Sequence, residues 1–75
     1  MMDYKALFWD VYQWTQQVNA AATQYGMQSP DFWQWVADSS GAMCQKYQDN
    51  LLVIKQMIML TEWLEEVYEK QQKGM

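Results

Sequence analysis

Tyr4, Leu7, Val11, Trp14, Val18, Ala21 and Tyr25 recur at alternating intervals of three and four residues. At helical pitch these side chains share one face, so the spacing predicts an amphipathic helix with an unbroken heptad seam. Asp3 precedes the seam as an N-cap and Gly26 follows it as a stop. Helix 1 is therefore expected over residues 4–25, about 33 Å long. A helix with one apolar face needs a second helix to cover it.

After the linker Gly26-Met27-Gln28 comes Ser29-Pro30-Asp31. Ser at the N-cap, Pro at the first helical position and an acid in the first turn together signal a helix start. The second helical region is expected from Pro30 to about Gln72. Its end is marked by Glu66–Lys70 and Glu69–Lys73 at the favourable i, i+4 spacing, with the lysines late in the helix.

Asp38-Ser39-Ser40-Gly41 interrupts this region with poor helix formers. Phase argues for passage straight through. Trp33, Val36, Ser40, Met43, Tyr47, Leu51, Ile54, Ile58 and Thr61 all fall on one face of an uninterrupted helix. The phase favours a continuous or gently kinked helix. The alternative is a break at Ser39–Gly41, giving three helices.

An antiparallel hairpin turning at residues 27–28 would set residue i opposite roughly residue 55 − i. Trp14 then faces Ser40 and Gly41, and Ala20-Ala21-Ala22 faces Trp33 and Trp35, so large meets small. The same register leaves Leu52 to Gln72 projecting about 31 Å past helix 1. That stretch is the most apolar of the chain. Leu51, Ile54 and Ile58 lie on one side, Leu52, Met59 and Trp63 nearly opposite, with Met57, Leu60, Leu64 and Val67 between. A helix apolar nearly all round is a buried one. The expected fold is thus all-α: one helical domain over residues 1–75, a hairpin with a long second helix that associates into a helical bundle. The expected interface residues are Leu52, Ile58, Met59, Leu60, Trp63 and Val67.

Composition narrows the function. The chain of 75 residues is 51% hydrophobic, with five Trp, five Tyr, two Phe and seven Met. A domain this short buries only about 60% of its unfolded surface and needs help from a disulfide, a metal or a partner. A single Cys44 makes no internal disulfide, and the absence of His disfavours a metal site. No metal or cofactor is expected, and oligomerisation or partner binding is what remains. Net charge is −4. The cations are Lys5, Lys46, Lys55, Lys70 and Lys73, scattered and without Arg, so neither nucleic acid nor an anionic membrane is an expected partner.

The longest apolar stretch, Leu51–Leu60, carries Lys55 and Gln56 and falls short of the ~20 residues a bilayer span needs. Asp3 ahead of the apolar run does not fit the charged start of a signal peptide. A soluble cytoplasmic protein is expected, of bacterial or phage type by its Arg-free composition.

The candidate chemistry is thin. Glu62, Glu65, Glu66 and Glu69 form an acidic ridge at i, i+3, i+4, i+7. Helical di-metal sites add Glu-x-x-His pairs from facing helices, and His is missing, so the ridge reads as a solvated face. Cys44 has no His to activate it and reads as a small buried hydrophobe. Trp14 belongs to the seam, whereas Trp9 and Trp63 point away from the main stripes of their helices. Exposed aromatics beside Met57 and Met59 suit a protein interface better than a stacking platform for sugars or bases. No stretch matches a family motif. The Trp-x-Gly turn of small secreted helical hairpins is missing, since Trp and Ala stand two residues after Trp33 and Trp35.

The chain is expected to be no enzyme but an interaction or assembly protein that self-associates through its apolar C-terminal helix. The alternative is a small regulator, as an inhibitor, chaperone or accessory subunit, that presents the same face to a different protein.

Overall fold

The computed structural model describes residues 2–73, apart from the side chains of residues 72 and 73. It contains three helices: α1 at Tyr4–Tyr25, α2 at Pro30–Lys46 and α3 at Leu51–Lys73. No strand occurs among the described residues. The helices pack in chain order, α1 on α2 and α2 on α3. Contacts divide the chain into two compact units, with the boundary between Trp35 and Val36, inside α2.

In the first unit, the expected start and stop signals operate. The Asp3 carboxylate accepts the Ala6 N–H at 3.1 Å, and the Asp3 carbonyl accepts that of Leu7 at 3.1 Å. These bonds satisfy donors that a helix start leaves open. Gly26 ends α1 at φ 80°, and its N–H donates to the Ala22 carbonyl at 2.9 Å. A side chain is strained at that φ, so Gly belongs there. Ser29 closes the turn on the Gly26 carbonyl at 3.0 Å, and its hydroxyl accepts the Asp31 N–H at 3.1 Å. The Trp33 indole N–H then donates to the Met27 carbonyl at 2.8 Å, which ties the start of α2 to its own linker.

The seam of α1 faces inward. Leu7, Trp14, Val18 and Ala21 are buried and Val11 is half-buried, while Tyr4 and Tyr25 at its ends are exposed. Large-over-small packing predicted Trp14 over Ser40 and Gly41; within the first unit its ring instead stacks on Trp35, with centroids 6.0 Å apart and planes 12° from parallel. Phe32 stacks on Trp35 in turn at 6.4 Å and meets Trp33 edge-on at 5.0 Å. Aromatic stacking adds about 0.5–1.5 kcal/mol per pair beyond burial. A Cβ on Gly41 would meet nothing within 4 Å. The other half of that register expectation fares better, because Trp35 shares a cleft with Ala20 and Ala21.

In the second unit, α2 runs through Ser39–Gly41 without a break. The Ser39 hydroxyl bonds the Val36 carbonyl at 3.3 Å, and that of Ser40 bonds the Ala37 carbonyl at 3.1 Å. Each serine thus satisfies itself inside the helix.

The long second helix expected to reach Gln72 is instead divided at Tyr47–Asn50. Gln48 and Asp49 both take φ 57°. The Asp49 N–H reaches back to the Cys44 carbonyl at 2.8 Å and the Gln48 N–H to that of Gln45 at 3.0 Å, closing the end of α2. Asn50 then opens α3, its side chain accepting the Leu52 N–H at 2.9 Å and its carbonyl the Ile54 N–H at 3.0 Å.

The turn resets the helical phase. The inward face of α3 is Val53, Met57 and Leu64, all buried, flanked by half-buried Leu60 and Val67. The continuous stripe through Leu51 and Ile58 is overturned, since both are exposed. The 31 Å overhang loses its basis, because it assumed one unbroken helix from Pro30 to Gln72. The expected Glu69–Lys73 pairing involves a side chain outside those described.

Candidate functional site

The apolar side chains that stay outside the core form two surfaces, one in each unit. On α3, Leu52, Met59 and Trp63 are spaced by seven and four residues and fall within about 40° of arc, roughly 120° from the Val53–Met57–Leu64 face. They are 42%, 55% and 49% exposed, and Ile58 is 50% exposed on the other edge of the outer side beside Leu51. Lys55, Glu62 and Glu66, all exposed, lie between these two apolar rows. Of the six interface residues read from the sequence, Leu52, Ile58, Met59 and Trp63 are on the outer surface. Leu60 and Val67 are half-buried at the flank toward the core. Leu51, which the sequence reading placed on the inner stripe, belongs to the outer surface at 65% exposure.

On α1, Phe8, Trp9 and Tyr12 are exposed on the side away from the seam, with the Trp9 and Tyr12 rings 5.6 Å apart. The sequence had marked only Trp9. Phe8 and Tyr12 could have been found with it, because they share an i, i+4 spacing and each sits about 100° round the helix from the seam residue before it, Leu7 and Val11.

A shallow cleft of about 220 Å³ lies in the first unit, lined by Gln17, Ala20, Ala21, Gln24, Tyr25 and Trp35. Its polar groups are two glutamine amides and a phenol.

Cys44 is half-buried and free of any disulfide. Burial pushes its thiol above the ordinary value, and the Asp49 carboxylate pushes the same way. Both effects disfavour the thiolate, the form that attacks electrophiles and binds metals. Among the described residues no three His, Cys, Asp or Glu side chains are grouped so as to hold a metal ion. Glu62, Glu65, Glu66 and Glu69 are all exposed along one helix. No helix, over the described residues, is long and apolar enough to cross a membrane.

The structure therefore defines a small all-helical protein with many exposed apolar and aromatic residues. Compared with protein-family models, curated proteins and solved structures, the chain matches none.

Proposed function

We propose that this chain is a non-enzymatic interaction protein that self-associates through the outer face of α3. The observation that carries this reading is the exposure of Leu52, Ile58, Met59 and Trp63 on one helix whose opposite face is already packed. Singly exposed apolar residues are ordinary, but a row of long aliphatic side chains around a half-exposed Trp has the composition of an interface centre. Burial and Asp49, which hold the Cys44 thiol above its ordinary pKa, and the exposed acidic ridge give catalysis no support. Cys44→Ala and Glu66→Gln are accordingly expected to leave fold and association intact.

Light scattering over a concentration series is the direct test. At least a dimer is expected at micromolar concentration, and a well-folded monomer throughout the series would end the proposal. The exposed Phe8–Trp9–Tyr12 surface on a different helix favours a second reading, in which a different protein is the partner. Solubility only with a co-expressed partner would select that reading.

A further inference from the structure

We infer that two copies of α3 dock antiparallel along the Leu52–Met59–Trp63 row, with the two-fold axis beside Met59. This inference rests on the self-association proposed above and specifies its geometry. The order of charges along the exposed side of the helix favours this orientation. Around Met59 the sequence is polar in an antisymmetric way: Lys55 stands four residues before it and Glu62 three residues after. Both are exposed, and both lie on the same edge of the apolar row.

A two-fold interface repeats every contact, so residue i of one copy meets roughly residue 118 − i of the other and the reverse. Lys55 then reaches Glu62 of the second copy, and Glu62 reaches that copy's Lys55. Trp63 lies within range of the same Lys55, where its ring face suits an ammonium. Glu66 comes to the start of the second copy's α3, whose first turn carries no acid of its own. That end of the helix is the positive pole, and a carboxylate is favoured there. A parallel pairing offers none of this. It sets Glu66 against Glu66 and Trp63 against Trp63, and leaves Lys55 and Glu62 facing apolar Leu60 and Val67.

The test exchanges the two charges. Lys55→Glu and Glu62→Lys each convert two symmetric attractions into two repulsions. Each is expected to weaken dimerisation by about tenfold in sedimentation equilibrium at low salt. The double variant Lys55→Glu/Glu62→Lys should return to within about threefold of wild type. Glu62→Lys is the sharper of the singles. It brings the net charge closer to zero than the wild type's −4, so general repulsion would predict tighter association where specific pairing predicts weaker.

Both side chains are exposed, and circular dichroism on each variant checks that the helices persist. In a Cys44→Ala background, Lys55→Cys mixed with Glu62→Cys should form the 55–62 disulfide in excess over 55–55 and 62–62. If the wild type dimerises but the swaps do nothing, or 55–55 dominates, the antiparallel docking is wrong while self-association stands. A wild-type monomer removes both.

Discussion

Ser39–Gly41 and Tyr47–Asn50 invert what their compositions suggest. The first holds two serines and a glycine yet is helix, and the second holds neither Gly nor Pro yet is a turn. The difference is where the hydrogen bonds go. The two serine hydroxyls bond carbonyls three residues back and leave the helix ladder in place. At Tyr47–Asn50 the backbone bonds close the end of α2, and the Asn50 side chain supplies a start for α3. Placing two non-glycine residues at φ 57° costs on the order of 1–2 kcal/mol each. The fold accepts that cost because the turn lets α3 pack on α2. Propensity summed over a few residues is thus a weaker guide than whether the following helix has a surface to bury against.

The largest consequence of the turn is the phase of α3, and two adjacent residues report it. Met57 is 2% exposed and Ile58 is 50% exposed. Met57→Ala is expected to cost about 2–4 kcal/mol and Ile58→Ala under about 1 kcal/mol in denaturant unfolding. Any loss at Ile58 should grow with protein concentration, since a contact between copies contributes only when copies meet. Equal costs, independent of concentration, would mean that the helix carries straight on from α2 with Ile58 turned inward.

Next in size is the start of α3 itself. Asn50→Ala removes the acceptor for the Leu52 N–H. A lost N-cap costs about 1 kcal/mol, seen as a lower melting temperature with unchanged helical signal. A variant that melts like wild type would show that the cap is dispensable and that packing alone holds the turn.

Much of this was legible in the sequence, and the parts that were not have identifiable reasons. The α1 seam, the Asp3 cap, the Gly26 stop and the Ser29-Pro30-Asp31 start each rest on local chemistry, and local chemistry survives folding. The stripe Trp33, Val36, Ser40 and Met43 in α2, with Tyr47 just past its end, was also readable, because each of these side chains is buried or half-buried. The reading failed at Tyr47–Asn50, where Asp-Asn is a weaker stop signal than Ser-Ser-Gly and an apolar run follows at once. Carrying the phase through that point placed Leu51 and Ile58 inside, where the structure leaves both exposed. Leu52, Met59 and Trp63 emerged as one row without that error, because their relative spacing does not depend on where the helix begins. That Trp14 would prefer Trp35 to a Gly notch was out of reach, since ring stacking depends on side-chain direction and not on register alone.

The smallest effect separates the two segments most cleanly, because its sign changes with the backbone. Gly41 lies within α2, and a Cβ there would meet open space. Gly41→Ala should therefore stabilise by about 0.5–1 kcal/mol, through reduced freedom of the unfolded chain and better helix propensity. Gly41→Leu should also be tolerated, because Gly41 is exposed and a Cβ there would meet nothing within 4 Å. Gly26 supplies the opposite case. It also has open space around its Cβ position, but its φ of 80° strains any L side chain, so Gly26→Ala should lower the melting temperature. With space equal at the two glycines, only backbone conformation can produce opposite signs. A destabilising Gly41→Ala would put that glycine in a left-handed turn and move the break from Tyr47–Asn50 back to Ser39–Gly41.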